Sequence, residues 1–167
     1  MHPQVELVIG VIEAEEADVI VNPASTSMIM GEGVAAAILH AAGHEVEEEA
    51  MAQAPVAVGE VVVTGAGNLV ARHIVHVAVS GDVPPDVYEC TRNALIAADE
   101  LDATTLAMPA LRMASGIGPR EVARGMCDAL RDHLEETGSG MRISIVLDDE
   151  EMYPIFERAL KRAYPEE

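Results

Sequence analysis

The stretch from Val19 to Gly33 constrains the fold of this chain more than any other. It reads Val-Ile-Val-Asn-Pro-Ala-Ser-Thr-Ser-Met-Ile-Met-Gly-Glu-Gly and runs directly into Val34-Ala35-Ala36-Ala37-Ile38-Leu39. A β-branched run, a short polar loop, a Gly-x-Gly and an alanine-rich segment spell a strand, a loop and a helix N-terminus. The first amides of a helix have no acceptor inside it and lie at the positive end of its dipole, so this order predicts an anion site. The glycines at Gly31 and Gly33 let a phosphate come close to the backbone.

The rest of the chain repeats the alternation. Val5–Val11, Val19–Val21, Val61–Thr64, His73–Val79, Thr104–Met108 and Met141–Leu147 read as strands. Helices are predicted from Val34 to about Met51, from about Asp86 to Leu101, from Arg120 to about Glu136 and from Glu150 to about Tyr164, where Tyr153, Phe156 and Leu160 fall at helical spacing. Continuous apolar runs rather than strict alternation argue for a mainly parallel sheet covered on both faces. The expected fold is α/β, a three-layer α/β/α sandwich on a central mixed, mostly parallel sheet. Its 167 residues, with no linker or repeat, read as a single domain spanning 1–167.

Composition narrows the partners. With 29 acidic and 10 basic residues the formal net charge is −19, which opposes the Lys/Arg contacts that binding to duplex nucleic acid requires. Lys161 is the single lysine, and so acidic a chain with so little lysine fits adaptation to high salt, where screening makes self-repulsion tolerable. No apolar run approaches a membrane span and the start does not read as a signal peptide, so a cytoplasmic protein with no membrane partner is expected. Cys90 and Cys127, without paired spacing, read as reduced core thiols. His40 and His44 stand four apart, but Gly43 interrupts the segment and no third ligand is evident, so no metal is expected. No cofactor is implied.

These residues resemble the macro domain, the α/β/α module that binds ADP-ribose and related nucleotides, in its stand-alone form. The family pattern Val-Asp-Ala-Ile-Val-Asn-Ala-Ala-Asn appears here as Ala17-Asp18-Val19-Ile20-Val21-Asn22-Pro23-Ala24-Ser25, and Gly-Gly-Gly-Val as Gly31-Glu32-Gly33-Val34. Gly59-Glu60, Gly65-Ala66-Gly67-Asn68-Leu69, His73-Ile74-Val75-His76 and Met108-Pro109-Ala110-Leu111 follow in family order. The resemblance implies ligand contacts from Val11, Ile12, Asn22, Ala24, Gly31, Gly33 and Val34, with Asn22 on a ribose hydroxyl. Asn22 can equally close the strand-to-loop turn with its own side chain. His76 is implied to pack and to hydrogen-bond to the loops.

A second phosphate loop, Ser/Gly-Thr-Gly-Val/Ile-x-Gly in the family, falls within Arg112 to Gly118. An ungapped alignment sets Arg112-Met113-Ala114 on its start, whereas a two-residue insertion sets Ala114 to Gly118 there. The second is preferred, because Ser115, Gly116, Ile117 and Gly118 suit consecutive amides around a diphosphate.

Three departures bear on function. Val11 stands where the family aspartate accepts from the adenine amino group, and Asp148 and Asp149 stand where an aromatic ring stacks on the base. Ser25 and Ala35 replace the Asn and Asp of the hydrolase branch, so no catalytic residue is assigned and binding without catalysis is favoured. The expected partner is ADP-ribose or a related nucleotide, free or on an ADP-ribosylated protein. The alternatives are a hydrolase of ADP-ribose derivatives, with Asn22 and Glu32 or a backbone-held water as its agents, and an interaction module with a degenerate cleft.

Overall fold

The structure, a computed structural model, describes residues 2–111 and 116–165. Six strands form one sheet: β1 (Val5–Ile9), β2 (Val19–Ser25), β3 (Val61–Gly65), β4 (His73–Ser80), β5 (Thr105–Pro109) and β6 (Arg142–Leu147), in the order β1-β6-β5-β2-β4-β3. Every neighbouring pair is parallel except β3 with β4. That one antiparallel edge makes the sheet mixed, and β3 accordingly alternates between buried Val62 and Thr64 and half-buried Val61 and Val63. The central β4 is buried at six consecutive positions, as a strand covered on both faces must be.

Strand parity assigns the two faces. Val19 and Val21 of β2, Val75 and Val77 of β4, and Ile143 and Ile145 of β6 join one core with α3 (Val87–Glu100), α4 (Pro119–Thr137) and α5 (Tyr153–Ala163). Ile20 and Ile74, one residue out of phase, pack on the other face under α1 (Gly33–Ala42) and α2 (His44–Met51). The result is the expected α/β/α sandwich. No described helix is long and apolar enough to cross a membrane.

The structure corrects several boundaries. The predicted helix from Val34 to Met51 is two helices, because Gly43 adopts φ +104°, a conformation that turns the chain between α1 and α2. His40 and His44 therefore stand on different helices. The first strand ends at Ile9, and Ile12–Ala14 form a 3-10 turn that buries Ile12. The glutamate run on α2 does more than face water: Glu47 accepts from the Met30 amide at 2.7 Å and Glu49 from the Gly65 amide at 2.9 Å. Cys90 and Cys127 are fully buried, and burial pushes their thiols up to about 11 and about 12, away from any thiolate chemistry.

Candidate functional site

The five parallel strands end on one edge of the sheet, and there the chain turns opposite ways. After β2 it crosses to α1 on one face, and after β5 to α4 on the other. Because β5 and β2 are neighbours, a crevice opens between the diverging segments, the place where open α/β sheets take ligands. A cleft of about 860 Å³ occupies this edge, within the range of small-molecule sites. Its walls come from Gly10–Glu13 after β1, Pro23–Ser25 of β2, Val79 and Ser80 of β4, Pro109 of β5 and Ala110 after it, Val146 and Asp148 at the end of β6, and the loop into α1. From β1 to β2 is three strand spacings, about 14 Å, so the cleft is elongated across the strands.

The β2–α1 loop is fixed from beneath. Met28 and Met30 are buried, Met28 in a left-handed conformation (φ +62°), while Ile29 between them is 55% exposed and lines the cleft. The Met28 amide donates to the Ser25 carbonyl at 3.0 Å, and Glu47 holds the Met30 amide. Ser27 Oγ accepts from the Ile29 amide at 3.3 Å and lies 2.8 Å from Ser25 Oγ, giving a linked hydroxyl pair on the cleft wall.

Beyond this anchored stretch, Gly33 opens α1 with φ +57°, and a Cβ built there meets no atom within 4 Å. Glu32, the N-cap, makes no side-chain cap, and the first helical bond runs from the Ala36 amide to the Glu32 carbonyl at 3.2 Å. The amides of Gly33, Val34 and Ala35 thus have no acceptor within the helix. They sit at the positive end of α1, beside the cleft. The helix start that the Gly-x-Gly spelling predicts is thus present beside the cleft.

A family model for the macro domain matches residues 21–127. The chain belongs to the macro domain family. An uncharacterised protein of Pyrobaculum aerophilum is 36% identical over 97% of this chain and 93% of its own length, and one of Aquifex aeolicus is 36% identical over 93% and 97%. Among solved structures, a variant of the Oceanobacillus iheyensis macrodomain with ADPR superposes with a TM-score of 0.86 at 27% identity, covering 97% of this chain and 94% of that one.

In this macro domain Val11, Ile12, Ala24, Gly31, Gly33 and Val34 line the cleft together, but Asn22 does not. Asn22 is fully buried on the α1/α2 side of β2, one step out of phase with Pro23. Its Nδ2 donates to His76 Nδ1 at 2.9 Å, and His76 Nε2 lies 2.9 Å from Thr64 Oγ1, which donates to the Gly65 carbonyl at 2.8 Å. With a proton on Nε2 the chain of donors runs one way, from β2 through β4 to β3. Asn22 Oδ1 is left without a partner among the described residues. Burial alone pushes His76 down to about 4, so the ring is neutral at physiological pH. The histidine thus bonds to neighbouring strands rather than to the cleft loops, and the amide expected on a ribose serves the interior.

The second loop is placed in part. Pro109 and Ala110 carry β5 into the cleft, whereas Ser115 lies outside the described residues together with Arg112, Met113 and Ala114. Gly116 has φ +77°, Ile117 packs against the α3–α5 core, and Gly118 is the N-cap of α4; none of the three lines the cleft. Conversely, Glu13, Ser27, Ile29 and Ser80 line it without having been singled out as site residues. The Met28-Ile29-Met30 alternation carried a signal for one of them, since two inward side chains force the middle one out.

Proposed function

We propose that the cleft binds ADP-ribose or a related diphosphate-ribose nucleotide, with the diphosphate on the free amides that open α1. The carrying observation is Gly33: its positive φ and the empty space at its Cβ position leave room for a phosphate oxygen against the helix N-terminus. Family membership and the ADPR held by the Oceanobacillus iheyensis variant support the nucleotide class. The linked hydroxyls of Ser25 and Ser27 and the apolar surface of Val11 and Ile29 supply neutral contacts for a sugar and a base. Binding without turnover is the favoured reading, because Ala35, in the place of the hydrolase branch's aspartate, has no group to orient a water. The physiological form of the ligand, in this reading, includes ADP-ribose carried on a protein.

Gly33→Val tests it. A β-branched side chain fills the space the anion needs, so calorimetry is expected to show ADP-ribose binding abolished. The positive φ adds a stability cost of about 1 to 3 kcal/mol, read separately from the unfolding midpoint. A folded Gly33→Val protein with unchanged affinity removes the cradle and leaves an interaction module as the better account.

A further inference from the structure

Three carboxylates line the cleft, Glu13, Glu32 and Asp148, and no Lys, Arg or His joins them among the described residues. None of the three forms an ion pair with a described cation. Among the described residues, Arg92 pairs with Glu136, Arg131 with Asp128 and Asp132, and Arg162 with Asp128, all on α3 to α5 on the far side of the sheet. An anion in this cleft therefore meets, among the described residues, only neutral donors, the α1 amides and the serine hydroxyls, inside a chain of net charge −19.

We propose that Glu32, with Glu13 and Asp148, makes the cleft select its ligand by charge, accepting a diphosphate whose far sugar is uncharged and rejecting one that carries a further phosphate there. This rests on the ADP-ribose reading of the same site. The α1 dipole supplies roughly half a positive charge, felt only within its first turn. That suffices for one diphosphate held against the amides. Any added phosphate lies beyond the first turn and within a cleft whose described ionisable walls are all acidic. Glu32 matters most, since it sits between the two cradle glycines and its carboxylate stays close to wherever the diphosphate rests.

The same charge balance fixes the salt dependence. Anion sites built from Lys and Arg weaken as salt screens the attraction. Here the long-range term is repulsive, so screening strengthens binding. The screening length falls from about 10 Å at 0.1 M to about 3 Å at 1 M, so charges across this cleft interact at the lower salt and scarcely at the higher.

The test is calorimetry of the full chain and of Glu32→Gln with ADP-ribose and with ADP-ribose 1″-phosphate, at about 0.1 M and about 2 M KCl, with unfolding midpoints confirming a folded protein in each buffer. At low salt the phosphorylated ligand is expected to bind about tenfold more weakly than ADP-ribose, with the gap closing to about twofold at high salt. ADP-ribose itself is expected to bind several-fold tighter on adding KCl. Glu32→Gln, at an exposed position with no partner to lose, is expected to tighten both ligands at low salt and neither at high salt. Equal or tighter binding of the phosphorylated ligand at low salt, or ADP-ribose affinity that falls with KCl, overturns the charge selection while leaving the binding function standing. Absence of ADP-ribose binding at both salt concentrations overturns the binding function itself.

Discussion

The two faces of the sheet are built on different principles. Under α3, α4 and α5 the apolar residues form one continuous cluster, from Val5 through Phe156 to Ala163, with Thr91 and His133 buried on the helices, and the outer surface is laced by the Arg92, Arg131 and Arg162 ion pairs. Under α1 and α2 the apolar contacts break into two clusters, one around Ile20, Ile38 and Ile74 and one around Met28, Val62 and Ala78. Asn22, His76 and Thr64 lie buried on that face with hydrogen bonds running across three strands. One face is a scaffold. The other gives up apolar continuity, breaks its helix at Gly43 and leaves the N-terminus of α1 uncapped, and it carries the proposed cradle. A buried polar chain is directional where apolar packing is not, so it fixes β2, β4 and β3 in one register beneath the loop.

The largest expected effect divides the faces by stability. Phe156 is fully buried in the scaffold core, and Phe156→Ala is expected to cost about 3 to 5 kcal/mol through the cavity it leaves. Its affinity for ADP-ribose, measured on folded protein, is expected to stay within about twofold of wild type, since α5 contributes nothing to the cleft. Ile38→Ala, from the fully buried face of α1, is expected to cost about 2 to 5 kcal/mol and also to weaken binding, because the cradle amides belong to that helix. Equal loss of affinity in both variants breaks the division.

Acid is expected to find the cleft face first. Folding lowers the His76 pKa from 6.5 to about 4, so between those values the unfolded chain binds a proton that the folded chain refuses. Its contribution is fully present above pH 6.5 and is lost as pH falls toward 4, by about 3 kcal/mol in all. The scaffold face responds lower. Asp132, held below its ordinary 3.8 by the Tyr88 hydroxyl and by Arg131, keeps its contribution until pH falls beneath that value. Denaturant titrations from pH 7 to 4 on wild type and His76→Gln check this, and an identical pH slope in the two proteins excludes His76 as the source.

How far the sequence carried this reading also differs between the faces. The element order, the parallel sheet and the Gly31 to Val34 cradle follow from local spelling, because a strand, a helix start and a left-handed glycine are each set within a few residues. The destination of Asn22 was not local. It depends on the register that sets Asn22 against His76, which are 54 residues apart in the chain, and no spacing within β2 reveals it. Gly43 was visible as a glycine, but whether it kinks a helix or divides two depends on what α2 packs against. Gly116 and Gly118 have a loop composition that suits a phosphate and a helix start at once, and with Pro119 behind it Gly118 is the N-cap of α4.

The smallest expected effect concerns Val11, which follows β1, is 47% exposed and lines the cleft with Glu13 and Asp148. If the base lies there, as the family position of Val11 implies, a carboxylate at that residue gains a hydrogen bond from the adenine amino group. Val11→Asp is then expected to tighten ADP-ribose by about 1 to 3 kcal/mol, the range for a bond to a charged acceptor. The gain belongs to high salt, since at low salt a fourth carboxylate in the cleft repels the diphosphate and offsets it. An analogue with hypoxanthine in place of adenine lacks the amino donor and separates the two contributions: it keeps the repulsion and gains nothing. Calorimetry at about 2 M KCl with both ligands reads the difference, and an unchanged preference between them in Val11→Asp means that the base is held elsewhere in the cleft.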